Sequence, residues 1–215
     1  MSAIRDRTKE QFPMVLLTLL SIVQALALEL LWSHVRESDY LLELSWTTIN
    51  AWIQISTTFL GLVLIWIIFA SSAMRFRWVP VTSDSVYPFL IGVLEFTMVE
   101  VLGPGESGRW LLVNAVLFGV MVRVSHKTMR RARLDPDNAV FFSNLAPATT
   151  RDFIPRIVVV AGMAAAGIYL EINDGDRVFE TAALLGTGAV LSWQFYTSTH
   201  YWTLSIGRRD GPGGQ

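Results

Sequence analysis

Residues 47–73 read TTINAWIQISTTFLGLVLIWIIFASSA, and no Asp, Glu, Lys or Arg occurs between Glu43 and Arg75. A helix needs about 20 mostly apolar residues to cross a bilayer. This stretch exceeds that length and carries no charge, so it predicts an integral membrane protein.

Five further apolar segments flank it, with cores at 13–33, 85–103, 109–125, 155–172 and 178–200. The six together predict an all-α fold, a six-helix transmembrane bundle occupying residues 1–215 as one domain. Only 16% of the 215 residues are charged, against about 25% in a soluble domain. Six helices and their connections use nearly all the length, which leaves no room for a sizeable soluble domain. The longest connection, residues 126–152, is expected as a cytoplasmic loop, and 211–215 as a flexible tail. The first apolar segment is too long for a signal-peptide core and lacks a small-residue cleavage site, so it reads as a retained helix.

The charges between the segments set the orientation. With the N-terminus inside, the inner connections hold Arg5, Arg7, Lys9, Arg75, Arg77, Lys127, Arg130, Arg131, Arg133, Arg151, Arg208 and Arg209. The outer ones hold only Arg36, Arg109 and Arg177, a bias of 12 to 3. The positive-inside rule then puts both termini in the cytoplasm, and a bilayer of the bacterial inner-membrane type is the expected location. Ten acids lie at or near the outer face, Glu29, Glu100 and Glu171 among them. A face of that sign concentrates cations, although outer loops poor in Lys and Arg become acidic by default. Trp32, Tyr40, Trp46, Trp52 and Trp110 outside, with Trp78, Tyr87, Tyr201 and Trp202 inside, mark interfacial belts.

A weak internal repeat runs through the chain. Glu29, Glu100 and Glu171 are spaced by 71 residues both times, and Gln24–Glu29 aligns with Glu95–Glu100. Trp52-Ile-Gln-Ile-Ser56 aligns with Trp110-Leu-Leu-Val-Asn114. The pattern predicts three tandem helical hairpins in parallel repeat, an arrangement that places transporter sites between repeats. Apolar helices of similar length also align by chance.

Few side chains in the apolar segments can do chemistry. Glu95 lies near the middle of its segment, where a charged group costs about 2.5–3.5 kcal/mol on insertion scales. Its functional reading is a proton or cation site; its plain reading is a neutral acid bonded to a neighbouring helix. Asn50, Gln54, Thr57 and Gly61 recur at helical spacing on one face of the second segment. That stripe either lines water or bonds across a helix interface. Gln24 in the first segment could join Glu95 in one buried polar site. Glu29, Glu100 and Glu171 could ring an outer vestibule. Lys127, Arg130, Arg131 and Arg133 are expected on lipid headgroups. The small-residue pairs Ala161/Ala165, Gly162/Ala166 and Ala182/Gly186 predict close helix contacts.

Other chemistries find no support. There is no cysteine, which excludes thiolate metal sites. His34, His126 and His200 lie at three different segment ends without metal or haem spacing. Ser107 lacks the strand–turn–helix setting of a hydrolase nucleophile, and no phosphate-binding glycine loop is present. No catalytic residue, metal site or cofactor is therefore expected. The partners expected are the lipid bilayer and either further copies of the chain or a larger membrane complex, with no nucleic acid. Two functional readings follow: a small cation or proton transporter or channel, or a non-catalytic subunit of a membrane complex.

Overall fold

A computed structural model gives the fold, described over residues 2–79, 81–142, 149–173 and 175–207. The tail at 211–215 and residues 143–148 of the long connection lie outside that description. Among the described residues the chain is all-helical: α1 (Ser2–Glu37), α2 (Trp46–Arg75), α3 (Thr82–Glu100), α4 (Ser107–Leu134), a single turn α5 (Ala139–Phe142), α6 (Ile154–Ile172) and α7 (Arg177–Gly207). Four helices are long and apolar enough to cross a membrane: α1, α2, α4 and the 150–172 stretch that contains α6. α3 and α7 are diluted by polar residues. α3 carries Asp84, Glu95 and Glu100 in 19 residues, and α7 mixes Gln194 with a series of Thr, Ser and Gly.

The helices extend beyond the apolar cores because little stops them. Pro13 sits inside α1, where its fixed φ suits a helix and costs one backbone hydrogen bond. Pro155 starts α6, where its missing N–H is no loss. Ser45 caps α2 by accepting from Thr48 N at 3.2 Å. α3 stops at Glu100, three residues before the expected end at 103. The chain then turns through Gly103 and Gly105, whose φ values of 126° and 80° suit only glycine.

Around the bundle the order is α1, α3, α4, α6, α7, α2. α4 on α6, α2 on α7 and α1 on α3 are the most extensive contacts, while α6 and α7 touch little despite their short connection. α2 and α4 form the inside: half of each apolar stretch is buried, against 28% for α1 and 22% for the stretch containing α6. Trp110 is wholly buried, and its Nε1 donates to Thr58 Oγ1 at 3.0 Å to join the two. Three equivalent hairpins about one axis would pack each second helix on the next first helix. α4 on α6 does this, but α2 barely meets α3.

The closest helix contacts use glycines other than those expected. A Cβ at Gly108 would lie 3.0 Å from Gly167 O, and one at Gly167 would lie 2.9 Å from Gly108 O. These two glycines let α4 and α6 meet backbone to backbone. The antiparallel register holds along the whole pair, with Gly108 at Glu171, Leu112 at Gly167, Gly119 at Val160 and His126 at Phe153. Gly92 of α3 is pressed against the side chain of Val23 in α1. Gly162 and Gly186 instead face open space, and Ala161, Ala165 and Ala182 are exposed. Five of the six residues in the expected pairs therefore lie on the outward faces of α6 and α7, and only Ala166 packs against the core.

At the end of the bundle opposite the α3–α4 turn, the chain is pinned. Lys9 Nζ donates to Asp135 Oδ1 at 2.8 Å and Asp137 Oδ2 at 2.9 Å. Asn138 accepts from Arg77 N and donates to Ala132 O. Asp84 takes Arg131 at 2.7 Å and also accepts from Val81 N at the start of α3.

Candidate functional site

Glu95 is wholly buried where α3 packs on α1. Gln24 Nε2 donates to its Oε1. Oε2 is buried and has no hydrogen-bond partner. A buried polar atom left unpaired costs about 1–3 kcal/mol, more when charged. Gly92, one turn below Glu95, is what lets α1 come near enough for the Gln24 contact. Gln24 lies eleven residues into the 13–33 apolar core of α1, and so near the middle of that core. Glu95 shares its level, although it lies only five residues, about 7.5 Å, from the C-terminal end of α3.

The two observations fit because the α3–α4 turn is recessed. Gly103 N donates to Gln54 Oε1 at 3.2 Å. Gln54 lies eight residues into α2, about 12 Å along its axis at 1.5 Å per residue. The turn therefore stops well short of the N-terminal end of α2. Tyr40, from the loop after α1, reaches over it, with its hydroxyl 3.2 Å from where a Gly103 Cβ would stand. His34 Nε2 meets the same hydroxyl at 2.9 Å.

A second polar centre lies at this turn. Gln54 Nε2 donates to Ser107 Oγ at 2.8 Å, and Ser107 Oγ donates to Glu180 Oε1 at 2.6 Å. All donors point toward the Glu180 carboxylate, so each bond polarises the next. One turn outward, Asn50 Oδ1 accepts from Thr181 Oγ1 at 2.8 Å, while Asn50 Nδ2 is buried without a partner. Thr181 Oγ1 can also donate to Arg177 O at 2.8 Å and accepts from Trp46 Nε1 at 3.1 Å. Exchanging the Asn50 amide atoms changes which one is unpaired, but not that one of them is.

The predicted residues thus divide. Asn50, Gln54, Thr57 and Gly61 all face protein and are buried. Only Gln24 joins Glu95; Asn50 and Gln54 bond to α4 and α7 at the outer end, and a Cβ on Gly188 would lie 3.2 Å from Thr57 Oγ1. Glu29 and Glu100 are exposed, and Glu171 pairs with Arg109 at 3.8 Å. Ser107 and Glu180 carry the outer centre, yet neither has a local sequence signal. Their partners are 53 and 73 residues away, so only the fold brings them together. Among the described residues, no group of His, Asp and Glu is arranged to hold a metal.

No protein-family model matches the chain, and comparison with curated proteins and with solved structures gives no match.

Proposed function

We propose that the chain is a six-helix membrane protein, both termini cytoplasmic, that binds a proton or small cation at Glu95 as part of a transport or channel activity. The observation that carries this reading is the unsatisfied Oε2 of a wholly buried carboxyl. An intramembrane carboxyl is expensive to keep, and one oxygen here has no protein partner to offset the cost. A proton or cation on Oε2 supplies what is missing. The recessed turn and the Gln54–Ser107–Glu180 chain add polar groups on the outer side, above Glu95. α3 and α7 count as crossings in this reading, because each packs as a full member of the bundle beside the four apolar helices. Orientation rests on the basic residues. The sequence repeat carries no weight in it beyond the Gln24 and Glu95 positions.

The test is flux in liposomes reconstituted with the purified protein, using a pH-sensitive dye and then Na+ and K+ indicators. Glu95→Gln keeps shape and hydrogen bonding but removes titration. Loss of flux in a folded variant supports the reading. Wild-type liposomes with no flux of any of these ions sink it.

The second reading, a non-catalytic subunit, has its own observation. The outer faces of α6 and α7 expose Gly162 and Gly186 with open space above each, beside Trp193 at 68% exposure. Small residues on lipid-facing surfaces admit close approach by another helix. Purification in mild detergent with co-eluting membrane chains would favour it.

A further inference from the structure

The basic stretch at the inner end of α4 divides in two when its partners are known. Arg131 is held by Asp84 at 2.7 Å, and Arg133 reaches Asp152 at 3.9 Å. Arg123, Lys127 and Arg130 pair with no acid among the described residues. Lys127 Nζ donates to the neutral hydroxyl of Tyr87 at 3.1 Å. Arg123 and Arg130 are exposed.

These three cations stand at i, i+4 and i+7, and so share one face of α4. Like charges at i, i+4 repel and destabilise a helix. The repulsion is uncompensated within the protein, although acids were available: Asp84 and Asp152 are taken by the neighbouring arginines. The face also has an apolar continuation. Two turns outward from Arg123 on the same stripe lies Val116, 55% exposed, and one turn outward from Tyr87 on α3 lies Leu90, 40% exposed. The cations, the Tyr87 hydroxyl beside Lys127, and the exposed Val116 and Leu90 further along α4 and α3 all lie along the α3–α4 pair.

We infer that this seam is a binding site for one anionic phospholipid, with its phosphodiester among Arg123, Lys127, Arg130 and the Tyr87 hydroxyl. Its acyl chain lies along Leu90 and Val116. Lipid phosphate is the anion that a membrane supplies at this level, and basic pockets between helices on the cytoplasmic side take such headgroups. The two guanidinium groups can bond phosphate oxygens through paired N–H groups. Arg131 and Arg133 are excluded from the site, since their charge is already spent. The inference does not depend on any transport activity.

The experiment uses delipidated full-length protein in neutral detergent, titrated with phosphatidylglycerol, with phosphatidylcholine, or with inorganic phosphate. Bound lipid is counted by native mass spectrometry, and thermal unfolding is followed in parallel. Phosphatidylglycerol is expected to bind one per chain and raise the unfolding temperature, while phosphatidylcholine and phosphate do little. Arg123→Gln with Arg130→Gln should weaken that binding on the order of thirty-fold, from the usual contribution of two basic side chains at an anionic surface. Arg133→Gln should leave it unchanged, and charge-retaining Arg123→Lys with Arg130→Lys should keep most of it. Equal binding of phosphatidylcholine, an equal response to phosphate alone, or a lipid response that follows Arg133 instead of Arg123 and Arg130 would each overturn the site.

Discussion

Gln24 and Glu95 are 71 residues apart and hydrogen bond to each other across the α1–α3 contact. That separation is also the spacing of Glu29, Glu100 and Glu171. Gln24 and Glu95 thus stand one 71-residue interval apart in sequence and side by side in space. A further interval of that length falls at Ala166, partly buried against the core. The polar site is built by α1 and α3. Two parallel neighbouring helices place equal positions side by side, so an amide and an acid at matching positions meet without any adjustment of register.

Replacing the amide isolates the acid. Gln24→Leu removes the one partner Glu95 has and should destabilise the protein by about 1–3 kcal/mol. Glu95→Gln keeps a bond to Gln24 and cannot ionise, so it should be neutral or stabilising. Thermal unfolding in detergent separates them; a Gln24→Leu protein as stable as wild type would show that the contact is not formed.

Glycine packing gives a graded series. Gly92→Ala drives a methyl into Val23, and Gly167→Ala drives one into Leu112 and the Gly108 carbonyl. Overpacking of this kind costs about 1–3 kcal/mol. Gly162→Ala and Gly186→Ala meet open space and should be silent or slightly stabilising, since alanine favours helix. Val23→Ala should rescue Gly92→Ala but not Gly167→Ala. Equal unfolding temperatures across all four glycine variants would contradict the packing described.

Much of this was legible in the sequence, and the losses have identifiable causes. The helices were visible because apolar runs of bilayer length have few alternatives. The inward stripe Asn50, Gln54, Thr57 and Gly61 was visible because polar side chains avoid lipid. Where those side chains bond was not, because helix order around the bundle is not written in any one helix. Gln54 meets Ser107 only because the α3–α4 turn is recessed. The small residues Ala161, Gly162 and Ala165 suggested close packing, but they face away from the bundle, whereas Gly108 and Gly167 meet backbone to backbone.

Ser107 ties three helices together through one hydroxyl. Ser107→Ala leaves Gln54 Nε2 and Glu180 Oε1 without that partner, at a cost of about 1–3 kcal/mol. Glu180→Gln should cost less, because an amide oxygen still accepts from Ser107. Hydrogen exchange at Gly103, whose N–H is held by Gln54, should rise in Ser107→Ala and less in Glu180→Gln. Unchanged exchange at Gly103 in Ser107→Ala would mean that Gln54 does not depend on the hydroxyl.

Orientation is open to direct labelling. Cysteine at Ser38, between α1 and the 3-10 turn at Asp39–Leu42, should react in intact cells with an impermeant maleimide. Cysteine at exposed Thr150, before α6, should react only after the membrane is opened. The native chain has no cysteine, so no background labelling interferes. Reversed labelling would invert the topology.

The inner clasp predicts a pH dependence with a definite sign. The hydrogen bond from Lys9 holds the Asp137 carboxyl below its ordinary value of 3.8. A carboxyl lowered on folding contributes stability that is complete above the unfolded value and is lost as pH falls through the folded one. Unfolding temperature should therefore be flat from neutral pH to about 5, then fall as acid protonates Asp137. Lys9→Met removes the cause of the lowering, so this part of the acid limb should shrink. It also leaves Asp135, 5% exposed, as a buried charge without its cation. Breaking a buried pair from one side costs about 3–5 kcal/mol, so Lys9→Met should be much less stable at pH 7. Lys9→Met with Asp135→Asn should recover most of that loss, because no buried unpaired charge remains and Asp137 is solvated. Asp137→Asn keeps the Lys9–Asp135 pair; it should lower stability at neutral pH by the contribution of Asp137 and flatten this part of the acid limb. A Lys9→Met protein with wild-type stability at pH 7 would show that α1 is not fastened to the end of α4.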